Sequence, residues 1–480
     1  MDIVKGFDSL TRAQARPFAS DRSLTFQTRR DLVQHAAITL ECGPHILHAG
    51  AGLFNDACFD YPGLNWSGAP EDMIDVRLRF SPLLMARLAD LTAPEDMVWV
   101  RSNLNPFPLA AFQQSDIPDN FVTKDYLAKL KGKVGRNHWW TGACFVRDGQ
   151  MHVHGWAIPP RNWKAGLPEV RIDGAVASVS PAVSPWARTA YWFMNGQLET
   201  GFYAVGPYAP ADGFSKIEVS FGAADTREGV RRFPVYQLVT TLDKLALPTP
   251  PDSNIHRVSG PGANQYSYIN GGKSDFERFR ALIGERLGRT TLNDLDVLDW
   301  GVGCGRLARY FIEEGARVTG IDIDDDNLNW CRANLKPASF VHVPLTPPTS
   351  LPTSAYDVII SSSVLSHLTE GVMRQWLSEI GRVLKPDGVA LLSFNGDGNS
   401  YLYGSWHPPA IANLDARGFF DEWRTPDLDG FIEDTEYYRL TLMSTASATK
   451  IFDANMRLED VVVGVTSGHQ DIAVLRKHQA

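Results

Sequence analysis

Leu298-Asp299-Trp300-Gly301-Val302-Gly303-Cys304-Gly305-Arg306 follows the apolar pair Leu295 and Val297 and runs into Leu307-Ala308-Arg309-Tyr310-Phe311-Ile312. The pattern predicts a strand, a glycine turn and the start of a helix. Glycines at alternate positions permit positive φ and let the backbone approach a ligand closely, and the helix that follows presents unpaired N–H groups in its first turn. Such a turn suits a nucleotide-like ligand.

Two ligands compete for it, and the chemistry of the turn separates them. A dinucleotide turn reads G-x-G-x-x-G and sets a doubly charged diphosphate on the helix N-terminus, where a carboxylate in the same turn repels it. Here the spacing is D-x-G-x-G-x-G, with Asp299 at its head. An acid there suits a ligand carrying an ammonium and a sulfonium, as S-adenosylmethionine (SAM) does. Arg317-Val318-Thr319-Gly320-Ile321-Asp322 reads as a second strand ending in an acid. Asp322 follows Gly305 at close to the roughly 20-residue offset at which a carboxylate meets ribose hydroxyls in such folds.

At 480 residues the chain is longer than one core supports, so two or three domains are expected. A formal charge of −9 excludes the basic footprint of a nucleic-acid or anionic-membrane binder. Met1-Asp2-Ile3-Val4-Lys5-Gly6-Phe7 lacks the pattern of a secretory leader, and no stretch approaches the about 20 apolar residues of a membrane span. Cys42, Cys58, Cys144, Cys304 and Cys331 are an odd, scattered set without C-x-x-C spacing, which argues against a disulfide frame and against a zinc site. A cytoplasmic protein without a structural metal is expected.

Residues 1–135 read as a small α/β or α+β unit without a functional motif. Ser81-Pro82 before Leu83, Leu84, Leu88 and Leu91 predicts a capped helix, Met97-Val98-Trp99-Val100 a buried strand, and Lys124 to Lys133 an exposed helical connector. Residues 136–247 change to short alternating runs, such as Val170-Arg171-Ile172 and Ile217 to Phe221, with Asp173-Gly174 as a hairpin turn, and predict an antiparallel β-sandwich. Its Trp139, Trp140, Trp156, Trp163, Trp186 and Trp192 supply either a sugar-stacking platform or core and edge packing; bulk apolar rings favour the latter. His154-Gly155-Trp156-Ala157, Val170 to Gly174 and Gly201-Phe202 resemble a β-module found beside bacterial glycan-synthesis enzymes. Pro248, Pro250 and Pro251 with Asp252-Ser253-Asn254 predict a stiff polar joint ahead of a domain at 255–480.

In that domain a helix through Phe276 to Leu287 precedes strands at 295–300, Val318 to Asp322, Phe340 to Val343, Tyr356 to Ser361 and Val389 to Phe394, with helices between. The alternation predicts an α/β, doubly wound, Rossmann-like parallel sheet with its ligand at the carboxyl ends of the strands. Gly320-Ile321-Asp322, Tyr356-Asp357-Val358-Ile359-Ile360 running into Val364-Leu365-Ser366-His367-Leu368, and Arg382 to Gly388 are similar to signatures of the class I SAM-dependent methyltransferases. The resemblance spans about Arg257 to Lys477. Gly418 to Asp421, Asp434 to Arg439 and His469 to Lys477 resemble a subgroup associated with bacterial glycan modification.

The resemblance implies that Gly301, Gly303 and Gly305 surround the methionine part of SAM and that Asp299 supports its amino group. Asp322 would hold the ribose, Ile323 and Leu345 would lie along the nucleoside, and Ser362 would border the pocket. Val343-Pro344-Leu345 offers only backbone carbonyls where many relatives place an acid for the adenine amine. Methyl transfer is an in-line displacement at an already activated carbon, and a hydroxyl acceptor needs a base. His367, after the fourth strand, is one candidate; a histidine there is often structural. His407, in the segment after the fifth strand, is the other, while Asn395 stands where the subgroup commonly has histidine.

Cys304 and Cys331 read as fillers, and Asp324, Asp325 and Asp326 as a helix cap. The reading is O-methylation of a small polar acceptor, most simply a sugar or glycan hydroxyl. Two alternatives remain at this level, an NAD-dependent oxidoreductase and a glycan-binding scaffold with a degenerate methyltransferase domain.

Overall fold

The computed structural model describes residues 13–15, 23–29, 37–42, 45–50, 57–60, 73–80, 98–103, 124–134, 139–147, 149–158, 166–182, 201–208, 213–221, 236–240, 245–259, 263, 265–405, 408–425, 428, 430–466 and 470–478. The chain divides into two compact units, one of residues 1–225, 239–242 and 259–266, the other of 226–238, 243–258 and 267–480.

The first unit opens with β1 (Ala13–Ala15), β2 (Ser23–Arg29), β3 (Ala37–Cys42), β4 (His45–Gly50), β5 (Ala57–Asp60), β6 (Met73–Phe80) and β7 (Val98–Asn103). They pair antiparallel in two sheets, ordered β1-β7-β3-β4 and β2-β6-β5. The strand expected at 97–100 enters β7, and the helix expected after Ser81 lies outside the described residues. The connector is α1 (Lys124–Lys133), and it is not exposed all round: Leu130 is buried.

Next come β8 (Trp139–Arg147), β9 (Gln150–Ala157), β10 (Glu169–Ile172), β11 (Ala175–Val176), β12 (Ser178–Ala182), β13 (Gly201–Pro207) and β14 (Ser215–Ser220). β12-β13-β9-β8 form one antiparallel sheet, and β10 pairs antiparallel with β11 and β14 in another. Val170, Ile172, Ile217 and Val219 are buried while Glu169 and Glu218 turn outward, as the alternation requires. Asp173 and Gly174 both hold positive φ, the hairpin turn their dipeptide predicts, and the Asp173 carboxylate accepts the Lys216 amide at 2.7 Å. Trp139 and Trp156 are buried, so those two indoles pack inward. Trp163, Trp186, Trp192 and the Trp140 side chain lie outside the described residues.

β15 (Tyr236–Val239) precedes α2 (Asp252–Ser259) and α3 (Gln265–Leu287). The polar joint expected through Asn254 is, from Asp252 onward, a helix. The Pro251 carbonyl accepts the amides of Asn254 and Ile255, and Ile255 is fully buried. Proline just ahead of a first turn costs the helix no hydrogen bond, which is why the stop signal here is a start.

From there β16 (Asp296–Trp300), α4 (Ala308–Glu313), β17 (Arg317–Asp322), α5 (Asp325–Asn334), β18 (Ala338–His342), β19 (Tyr356–Ser361), a 3₁₀ turn at Leu365–His367, α6 (Glu370–Val383) and β20 (Leu384–Phe394) alternate as expected. α7 (Asp397–Gly404), α8 (Pro408–Arg417), β21 (Phe419–Arg424), β22 (Arg439–Met443), α9 (Thr445–Asn455), β23 (Arg457–Thr466) and β24 (Gln470–Arg476) complete the unit. One sheet runs β18-β17-β16-β19-β20-β24-β23, parallel through β20 and antiparallel at β24 and β23. The doubly wound Rossmann-like expectation therefore holds for this unit. Trp300 and Trp376, 5.1 Å apart, with Ile359, Ile380, Leu392 and Phe452 fill the core between the sheet and α6 and α9.

The strand order reverses between β16 and β19, because the chain steps outward to β18 and then returns to the other side of β16. An open α/β sheet has its crevice at such a point, outside the carboxyl ends of the strands. The loops that meet there are Gly301 to Leu307 and Ser362 to Val364.

Candidate functional site

Gly301, Gly303 and Gly305 all sit at positive φ, 74°, 51° and 83°. A Cβ on Gly301 would overlap the Val364 side chain, and one on Gly303 would stand 2.7 Å from Cγ2 of Val258 on α2. The turn is thus clamped between the loop after β19 and α2, and only glycine fits either contact.

Four of the turn's N–H groups find acceptors within the protein. Gly301 and Val302 donate to the Ile321 carbonyl at 2.9 and 3.1 Å, Gly305 to the Val302 carbonyl at 2.9 Å, and Gly303 to Oδ2 of Asp322 at 2.7 Å. The Ala308 amide, in the first turn of α4, lies near enough to the Asp299 carboxyl to lower its pKa. An acid beside the N-terminus of that helix disfavours a diphosphate there.

Asp299 is buried and Asp322 half-buried at the ends of adjacent strands. Burial pushes the Asp299 carboxyl up to about 7, the nearby Asp322 adds to the rise, and Arg306 and the Ala308 amide oppose it. Burial likewise raises Asp322, against the amides of Asp324 and Gly303 that bond its two oxygens. Two carboxylates sharing one crevice leave it short of positive charge, which suits a cationic ligand.

The sequence reading gave Arg306 no role. Its Nη2 donates to Oδ2 of Asp275 at 2.7 Å and to Oγ of Ser362 at 3.2 Å, so it ties α3 to the loops after β16 and β19. Asp275 also holds Nη1 of Arg278 at 3.0 Å. Nothing in the local pattern signals this, since Asp275 lies a helix and a strand upstream.

α2 supplies a second set of unforeseen contacts. Asn254 Nδ2 donates to Oδ1 of Asn327 at 2.8 Å, and Arg257 Nε meets Oδ2 of Asp324 at 2.9 Å. The Arg257 guanidinium also stands 4.6 Å from the centre of the Phe431 ring. Asp324 caps α5, accepting the Asn327 amide, as the acidic run predicts.

Ile323 and Leu345 are half-buried against the Trp300–Trp376 core, and the Leu345 carbonyl accepts Nε1 of Trp376 at 3.0 Å. Ser362 is part of the Arg306 contact. Ser363 holds a φ of 64° and donates its amide to Oγ of Ser393 at 2.7 Å. Burial raises the Cys304 thiol to about 12 and raises Cys331 as well, so neither is a nucleophile at neutral pH.

His367 closes the 3₁₀ turn, stacked on Tyr438 at 4.1 Å between ring centres, with Nδ1 3.0 Å from the Arg439 carbonyl. Burial draws it down to about 4. Asn395 is fully engaged: Nδ2 donates to the Thr441 carbonyl at 3.0 Å, and Oδ1 accepts Nδ2 of Asn399 at 2.6 Å. His407 and His469 lie outside the described residues. Asp299, Gly301, Gly303, Gly305, Asp322 and Ser362 therefore lie at the carboxyl ends of the adjacent strands β17, β16 and β19, with Ile323 just beyond β17 and Leu345 after β18.

Residues 297–388 match the family described as "Methyltransferase domain". Over 153 residues the chain is 28% identical to a ubiquinone biosynthesis O-methyltransferase of Psychrobacter cryohalolentis, covering 30% of this chain and 59% of that relative. A second protein of that name, from Nitrosospira multiformis, is 29% identical over 176 residues, covering 35% and 70%. The chain thus spans less than two thirds of the first relative's length. Among solved structures, magnesium protoporphyrin IX methyltransferase of Synechocystis PCC 6803 is 17% identical with a TM-score of 0.32, over 47% of this chain and 94% of that one. The family match and the relatives support a class I SAM-dependent methyltransferase domain, with SAM as its cofactor, in the second unit.

Proposed function

We propose that this protein transfers the methyl group of SAM to a hydroxyl of a small polar acceptor, most simply a sugar or other glycan. The observation that carries the reading is the pair of carboxyls, Asp299 and Asp322, at the carboxyl ends of adjacent strands beside a turn whose three glycines all hold positive φ. An acid at the head of the turn repels a dinucleotide's diphosphate there and favours a ligand that carries an ammonium. The same acid disfavours the oxidoreductase alternative.

Asp299 would take the ammonium of the methionine part, Asp322 the ribose hydroxyls, and Ile323 and Leu345 the faces of the nucleoside. When bound, SAM supplies a methyl already activated by its sulfonium, so the chain's own work is alignment and exclusion of water. The glycine turn and Val364 set the floor of the crevice, and α2 covers the turn through Val258. The acceptor class rests on the resemblance of the β-module and the closing segment to glycan-associated proteins. In this reading the two sheets of 139–220 are a β-sandwich that orients acceptor or partner.

Calorimetric titration with S-adenosylhomocysteine (SAH) and, separately, with NAD tests the reading. Saturable heat with SAH and none with NAD is expected; the reverse pattern would overturn it.

A further inference from the structure

We infer that Gln470, on β24, is a positioning residue for the cofactor site: it locks Ser363 in a left-handed backbone conformation and so sets the loop after β19 that packs on the glycine turn. The assignment rests on the methyltransferase reading above. It gives a task to the closing segment His469 to Lys477, which that reading leaves without one.

The strain sits at Ser363. Its φ of 64° lies in a region that residues with a Cβ avoid, and such a conformation persists only where the surroundings over-determine it. Three bonds hold it. The Ser363 amide donates to Oγ of Ser393 at 2.7 Å, the Ser363 carbonyl accepts Oγ of Ser366 at 3.0 Å, and Oγ of Ser363 accepts Nε2 of Gln470 at 2.8 Å. Ser366 belongs to the same loop and cannot by itself fix that loop on the sheet. Ser393 on β20 and Gln470 on β24 can.

Gln470 joins the two sheet anchors into one. Its Oε1 accepts Oγ of Ser393 at 2.8 Å, which commits that hydroxyl's proton and leaves an oxygen lone pair for the Ser363 amide. Both ends of one side-chain amide therefore act on one residue, Nε2 on the Ser363 hydroxyl directly and Oε1 on the Ser363 N–H through Ser393. Gln470 and Ser393 are both buried, where a partner lost is not replaced by water. The neighbouring Asp471 turns the other way and accepts the Gly464 amide at 2.9 Å.

The reversal at Ser363 decides where the residues on either side of it stand. Oγ of Ser362 accepts Nη2 of Arg306 at 3.2 Å, and Val364 lies so close to Gly301 that a Cβ there would overlap it. With Ser363 relaxed to negative φ the chain leaves in another direction, and Ser362 and Val364 cannot both keep these contacts. The glycine turn then loses the packing that holds it on this side.

The test measures SAH affinity of the full chain by calorimetry. Gln470→Met keeps the length of the side chain and removes both of its hydrogen-bonding ends, and it should bind SAH roughly 10-fold more weakly. Adding Ser363→Gly removes the Cβ that makes the left-handed conformation costly, so the double variant should return to within about threefold of the wild type. Damage to the packing of β24 is not repaired by a change in the loop after β19, so this rescue is a readout that a merely structural glutamine would not give. Ser393→Ala removes the other sheet anchor; it should lose affinity as Gln470→Met does, recover with the same glycine, and serve in its place if Gln470→Met does not fold.

Wild-type affinity in the folded single variant overturns the assignment while leaving the methyltransferase reading in place. A loss of affinity that Ser363→Gly leaves unrepaired overturns it too. Failure of the wild type to bind SAH instead removes the methyltransferase reading itself.

Discussion

Asp299 and Asp322 stand at the carboxyl ends of neighbouring strands, and the Gly303 amide of the glycine loop bonds Asp322. Their roles separate by what each still has to offer a ligand. On the proposed role of Asp322 at the ribose, Asp322→Ala should weaken SAH binding by about 1.5–3 kcal/mol, roughly 10- to 100-fold, read by calorimetry. The same change frees the Gly303 and Asp324 amides, so Asp322→Asn, which keeps one acceptor oxygen, should lose less. For Asp299 the sign follows from its raised carboxyl, about 7 in the unliganded protein. An ammonium beside it favours the ionised form, so binding releases a proton whenever the free site is protonated. SAH affinity should rise as pH climbs toward 7 and level off above it, and the binding heat below pH 7 should depend on the buffer's ionisation enthalpy. Asp299→Asn should abolish that buffer dependence.

At the level of the element, the glycine loop was legible because its demands are local. Alternating glycines after an apolar strand need only their own neighbours to be read, and the acid after β17 falls at a spacing set by one βα unit. Arg306–Asp275, His367 with Tyr438 and Arg439, and Arg257–Asp324 were not legible, since each joins segments that the fold alone brings together. α2 was missed for a different reason: three prolines and a polar run carry a linker's composition, while the buried Ile255 and Asn254 and the Asn254–Asn327 bond fix the helix. Its contact with the loop predicts that Gly303→Ala abolishes SAH binding, through positive φ and the 2.7 Å approach to Val258. Adding Val258→Ala removes the overlap but not the strained φ, so the double variant should recover binding only in part. Full recovery would show that packing alone, not backbone conformation, excludes a side chain there.

For the whole molecule, the division into two compact units predicts how ligand binding registers in stability. A ligand that binds only the folded second unit stabilises it by about 2.7 kcal/mol at a hundredfold excess over Kd. For a cooperative unit of some 150–250 residues each kcal/mol is worth roughly 2–4 °C, so SAH should raise that unit's Tm by about 5–10 °C. The first unit contributes none of the residues assigned to the crevice, since Asp299, Asp322, the glycine loop and α2 through Val258 all belong to the second. Scanning calorimetry of the full chain should therefore show one transition that moves with SAH and one that does not. Were both to move together, the two units would unfold as one cooperative body, against the division.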